Sequence, residues 1–135
     1  MTPSPCPCGS ALPYAACCGR LHAEHAASGR LAAATPEALM RSRYAAFVRD
    51  LRPYLLASWH ASTRPVSLDG PEPGLKWLGL DVKRAAMRDA DHGTVEFVAR
   101  SKLGGRAHRL HETSRFVREP AGLEGRWFYV DGDLH

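Results

Sequence analysis

All four cysteines of the chain stand close together near its start, in the stretch "CPCGSALPYAACCG". Cys6, Cys8, Cys17 and Cys18 form two short-range pairs in the pattern C-x-C-x8-C-C. Four thiolates so arranged are the donor set of a tetrahedral Zn²⁺ centre, with metal–sulfur distances of about 2.3 Å. Gly9 and Ser10 permit a tight turn after the first pair, and Pro13 can open a helical turn that carries the second pair back. The spacing predicts one structural Zn²⁺ per chain, with no coordination position left open for catalysis. The segment is too short for a core of its own, so the metal should fold it, and the domain that follows should fold without it. A redox role would favour C-x-x-C, which is absent. His22 or His25 could replace one of the two adjacent cysteines.

A second group lies in "LHETSRF", residues 110–116. In a strand, Leu110, Glu112, Ser114 and Phe116 share one face, and His111, Thr113 and Arg115 share the other. The apolar members of the first set turn it inward. An inward carboxylate is either a general acid or base, with His60 approaching it, or half of a buried ion pair that ties a helix to the sheet. Arg41, Arg43 and Arg64 are the candidate cations, and Tyr44 and Ser114 the neutral polar neighbours. The ion pair is the simpler reading. Glu96 and His111 fall on the outer face, and no H-x-H pair marks a catalytic metal inside.

These groups need elements to hold them. Thr35 and Pro36 form a helix start, and in "PEALMRSRYAAFVRD" Met40, Tyr44, Phe47, Val48 and Leu51 fall on one helical face. Pro53 can open a shorter helix in "PYLLASWHAS", with Leu55, Leu56 and Trp59 against the core. The stretch "LHAEHAASGRLAAA" before them reads as a connector, and "STRPVSLDGPEPG" after them as a loop. From residue 76 the period changes to two. Leu78, Leu80 and Val82 alternate with Trp77, Gly79 and Asp81, and "TVEFVARSK", "RAHRLHETSRFVRE" and "RWFYVDGD" supply three more strands joined by short turns. Helices followed by a meander define an α+β fold, with the helices over one face of a bent antiparallel sheet. The other face should be polar, or paired with a second copy in a homodimer.

Composition narrows the function classes. With 44% hydrophobic and 24% charged residues the chain is globular in character, and no apolar run is long enough to span a membrane. The start "MTPSPCPCGS" lacks the basic and apolar regions of a secretory signal, which predicts a cytoplasmic protein. The formal charge of +4 falls to about +2 once four thiolates hold Zn²⁺, a weak basis for nucleic-acid binding.

The motif "CPCGS…PY…CCG" resembles the SEC-C motif, the zinc-binding element at the end of the preprotein translocase motor SecA, whose partners are a chaperone and the ribosome. Cys18 stands where that motor has histidine. Over the whole chain, "TPEALMRSRYAAFV", "YLLASWHASTRP", "GTVEFVAR", "LHETSRFVRE" and "RWFYVDG" together resemble the YchJ family. The resemblance implies a SEC-C element, residues 1–25, joined to a nuclear-transport-factor-2-like domain, residues 26–135, in which helices and a bent sheet form a cone. It implies a fold and no particular reaction. The expected role is a zinc-stabilised binding or adaptor protein, taking a small molecule in the cone, or a protein client or the ribosome through the zinc element. The alternatives are a small hydrolase, isomerase or lyase using the cone, and a ribosome- or RNA-associated factor.

Overall fold

The computed structural model describes residues 4–135, so the first three residues of the expected zinc element lie outside the described residues. The connector is largely helical. Helix α1, Cys18–Ser28, uses its alanines and ends at Gly29, whose left-handed φ of 77° lets its N–H reach the His25 carbonyl. The boundary expected after residue 25 therefore falls inside a helix. Helix α2, Pro36–Val48, starts as anticipated, with Thr35 Oγ1 accepting the Ala38 N–H at 3.0 Å. Helix α3, Arg52–Ala57, is shorter than the sequence suggested. Past Ala57 the backbone is taken over by the sheet: Ser58 and His60 bond the main chain of Tyr129 at 2.9 and 2.7 Å.

Strands β1 (Lys76–Asp89), β2 (His92–Leu103), β3 (Arg106–Glu119) and β4 (Arg126–Leu134) form one antiparallel meander in chain order. Its register slips at three points between β1 and β2 and once between β3 and β4. Each slip adds local twist and helps bend the sheet toward the helices. The first slip corrects the sequence reading of β1. Trp77 pairs with Ser101 and Gly79 with Arg100, so Leu78 is the extra residue and lies 57% exposed, while Trp77 turns inward with Leu80 and Val82.

Helix α2 lies across the concave face, and its burial extends well beyond one stripe. Leu39, Ala45 and Ala46 are fully buried alongside Met40 and Tyr44, because α2 meets the sheet on one side and α1 and α3 on the others. Phe47, expected in the buried stripe, is 41% exposed. The main core joins α2 to Val95, Phe97, Ala99, Phe116 and Trp127, and it includes Leu21 from α1. The cysteine segment is thus not a separable appendage: its thiols pack on Ala45 and its helix feeds the common core.

Candidate metal centre and binding cavity

The cysteine segment closes on itself before it meets the rest of the fold. The Cys6 N–H donates to the Leu12 carbonyl at 2.8 Å, and the Gly9 N–H donates to Cys6 at 3.2 Å, with Gly9 at φ 83°. A short 3-10 turn, Tyr14–Ala16, then leads into α1. Gly19 in the first turn of α1 has no room for a side chain: a Cβ there would stand 2.6 Å from the Tyr14 carbonyl oxygen. The close approach brings Cys17 and Cys18 back over Cys6 and Cys8.

All four thiols are unbridged, and one sulfur from each lies within 4.8 Å of the others. Cys8 and Cys17 Sγ are 3.6 Å apart, and Cys17 and Cys18 Sγ 4.0 Å. The edges of a ZnS₄ tetrahedron are about 3.8 Å, so the donor set fits a four-coordinate ion as it stands. Its electrostatics ask for one. A hydrogen bond from Cys18 pushes the Cys8 thiol down to about 4, while the same bond, burial and the Cys8 charge push Cys18 up. Four thiolates at this spacing need a cation among them. The cluster could therefore bind one metal ion, and Cys6, Cys8, Cys17 and Cys18 would hold it with no position open.

Neither histidine joins the cluster. His22 Nε2–H donates to the Ser42 carbonyl at 2.8 Å, and Nδ1 accepts the Tyr14 hydroxyl at 2.6 Å, which fixes its tautomer and ties α1 to α2. Burial pushes the His22 pKa down. His25 stands edge-on to Tyr54, with ring centroids 5.5 Å apart. Arg41, expected near Glu112, serves the cysteines instead: its Nη1 donates to the Cys8 carbonyl at 2.8 Å and its Nε to Glu37 at 3.0 Å.

On the other side of α2, the helix and the sheet enclose a cavity of about 200 Å³. Most of its wall is apolar or aromatic, with Met40, Tyr44, Trp77, Phe97 and Phe116 among the lining and Phe47 partly exposed beside them. Arg43, Glu112 and Ser114 line it too. The inward face read from "LHETSRF" is correct, and Leu110, Glu112, Ser114 and Phe116 all border this space.

Arg43 is 5% exposed. Its Nη1 donates to the Leu55 carbonyl at 2.8 Å and to Ser58 Oγ at 2.6 Å, so it closes the end of α3. Its guanidinium also lies over the rings of Tyr129 and Trp59, at 4.6 and 5.1 Å from their centroids. Burial draws its pKa down to about 10, which leaves it a cation at neutral pH. Glu112 accepts a short hydrogen bond from Ser114 Oγ. Its carboxyl rests over Gly132 of β4, where a Cβ would come within 2.6 Å of the Glu112 Cδ. Nothing in "RWFYVDGD" marked Gly132 as that seat, because the pairing of Gly132 with Ser114 depends on the β4 register slip.

The expected tether does not form. Among the described residues, no cation makes an ion pair with Glu112, although Arg43 shares its cavity and its field. Arg64 lies outside, its Nε donating to the Trp59 carbonyl at 2.9 Å. His60 is also placed elsewhere. Its backbone is stitched to Tyr129, and its ring bonds Ser62 and Glu119. Glu119 is seven residues beyond Glu112 on β3, about 23 Å along an extended strand. The acid–base pair of Glu112 with His60 is therefore excluded by the register.

On the outer face, His111 Nε2 and Glu96 Oε2 are 2.7 Å apart, and Arg115 bonds Asp131 at 2.6 Å and Asp133 at 2.7 Å. Around these residues the outer face is polar. Among the described residues no helix is long and apolar enough to cross a membrane.

Comparison with known proteins matches the two parts of the chain separately. Residues 3–20 match the SEC-C motif, and residues 35–132 match the family described as YchJ, middle NTF2-like domain. A UPF0225 protein of Methylibium petroleiphilum is 57% identical over 132 residues, covering 98% of this chain and 90% of its own. A UPF0225 protein of Ralstonia nicotianae is 56% identical, with 96% and 90% covered. Two solved structures share the fold. A SEC-C motif containing protein from Rhodopseudomonas palustris superposes with a TM-score of 0.80 at 34% identity, covering 98% of this chain and 99% of that one. A second, from Psychrobacter arcticus, gives 0.79 at 27% identity, with 98% and 83% covered. With its cysteine segment and its helix-covered sheet both matched in order, the chain belongs to the YchJ family of SEC-C and NTF2-like proteins.

Proposed function

We propose that the protein is a zinc-stabilised binding protein whose cone takes a small, mainly apolar molecule bearing one polar end. One observation carries the reading. Arg43 and Glu112 line the same cavity with opposite charge and are not paired, so a ligand group between them can accept from the guanidinium and donate to the carboxylate. A carboxamide or ring lactam has that pair of functions side by side; a carboxylate would be repelled by Glu112 and an amine by Arg43. The volume suits a substituted single ring or a small bicyclic, since a cavity of roughly 150 Å³ already holds benzene. The aromatic wall supplies the apolar contact. In the cysteine centre the reading assigns Zn²⁺ a structural role.

The enzyme alternative loses its base partner with His60 and keeps only Glu112. The RNA alternative finds cations on one end of the sheet, where Arg100 stands opposite Arg109 and Lys76 opposite Lys102, all exposed. Among the described residues most of the large aromatic rings are turned away from that end: Trp77 and Phe97 face the cavity and Trp127 the core.

Titration with 2-naphthamide, followed by tryptophan fluorescence, tests the proposal. Saturable binding is expected, weakened about tenfold by Glu112→Leu, which removes the acceptor. Naphthoate and naphthylamine should bind less tightly than the amide. Equal binding of all three, or of none, would overturn the polar-end assignment.

A further inference from the structure

We infer that the outer face of the sheet carries a second metal site, in which Glu96, His111 and His135 take a divalent first-row transition ion and leave coordination positions open. The three residues come from β2, from β3 and from the residue after β4, far apart in sequence. Their donor atoms nevertheless lie within 4.8 Å of one another. Ligands around an ion with bonds of about 2.1 Å stand roughly 3.0–3.5 Å apart, so binding needs a side-chain adjustment of about 1 Å and no backbone movement.

The backbone already fixes the arrangement. The His135 N–H donates to the His111 carbonyl at 2.9 Å, extending the ladder by one residue past β4. The two imidazoles stack with centroids 4.2 Å apart and planes inclined by 21°. His111 Nε2 meets Glu96 Oε2 at 2.7 Å, and His135 Nε2 meets Thr113 Oγ1 at 2.7 Å. A histidine–glutamate ion pair would account for two of the residues. It does not account for a second imidazole held against the first within reach of the same carboxylate.

The chemistry of the set selects the ion. Two imidazoles and one carboxylate suit Zn²⁺, Fe²⁺, Ni²⁺ or Cu²⁺ better than Mg²⁺ or Ca²⁺, which prefer all-oxygen shells. Neighbouring charge is balanced: Arg84 lies opposite Glu96 and Asp133 opposite Thr113. The contrast with the cysteine centre is one of closure. Four buried thiolates complete a shell, whereas three donors on a solvated face leave room for water or an exogenous ligand. The inference is independent of the cavity's ligand.

The test uses the intact protein with its cysteine centre already loaded. Equilibrium dialysis against Zn²⁺ should show a second equivalent per chain. Added Co²⁺ should bind there without the intense sulfur-to-metal absorption of a thiolate site. Glu96→Gln, His111→Ala and His135→Ala should each weaken the second equivalent at least tenfold and leave the first intact. The His135 variant guards against misfolding, because that side chain is exposed and its thermal unfolding should match the wild type. Saturation of the wild type at a single equivalent would overturn the inference. So would a second equivalent that survives all three substitutions with unchanged affinity.

Discussion

The two sides of helix α2 are built on opposite plans. Toward the cysteine segment the polar groups are closed off: Arg41 on the Cys8 carbonyl, His22 between Tyr14 and Ser42, and four sulfurs around a point that one cation can fill. Toward the sheet, the same helix presents Arg43 to a cavity where a carboxylate faces it without contact. An unpaired buried charge costs free energy that close packing would avoid. Under the proposed function, keeping such a gap on one face while satisfying the other separates a stabilising site from a binding site. Arg41 and Arg43, two residues apart, turn to these two sides and cannot exchange roles.

The largest effect that tests this contrast comes from Cys8→Ser. The segment shares Leu21 with the main core and rests on Ala45, so losing the metal should destabilise the whole fold rather than only residues near the start. We expect metal content near zero by elemental analysis and a loss of about 4 kcal/mol or more, in a single unfolding transition at a temperature lower by roughly 10 °C. If the cone unfolds at the wild-type temperature while the segment alone loses protection, the two sides of α2 are independent and the contrast is only one of location.

A smaller effect separates the cavity's two charges. Arg43→Met removes the donor to Leu55 and Ser58 and should cost about 2–4 kcal/mol. Glu112→Gln keeps the Ser114 hydrogen bond and should cost less than about 1 kcal/mol. In a double-mutant cycle read by denaturant unfolding, the coupling should stay below about 0.5 kcal/mol, since the two groups do not touch. Coupling above about 2 kcal/mol would restore the tether and remove the gap on which the binding proposal rests.

Local signals carried much of this in the sequence. The Thr35–Pro36 start, the period-two strands, the inward set of "LHETSRF" and the four-cysteine pattern each depend on neighbours within a few residues, and each is found. What was not legible is set by register. Leu78 turns out because a bulge inserts one residue, and His60 faces Glu119 because its backbone pairs with Tyr129. Glu96, His111 and His135 converge only through the pairing of three strands. Helix α1 was missed for a different reason. Its alanines propagate a helix, but the residues it buries, Cys18, Gly19, Leu21 and His22, include one large aliphatic side chain only, so no apolar stripe announces it.

The smallest predicted effect lies in the link between α1 and α2. Folded His22 is held neutral: burial lowers its pKa, Nε2 carries the proton given to Ser42, and Nδ1 accepts from Tyr14. Protonating Nδ1 would break the Tyr14 bond and place a charge in a buried site. The unfolded chain has no such restriction and takes up its proton near pH 6.5. The unfolded state thus binds more protons between that value and the lower folded pKa, and stability must fall as the pH is lowered through this window. The contribution is complete above about pH 6.5 and is lost progressively below it. His22→Gln retains a donor for Ser42 but does not titrate. Denaturant unfolding of metal-loaded wild type and variant across this range should show a shallower decline for the variant. If both decline in parallel, the acid sensitivity lies elsewhere in the fold, and His22 is a packing residue without a protonation role.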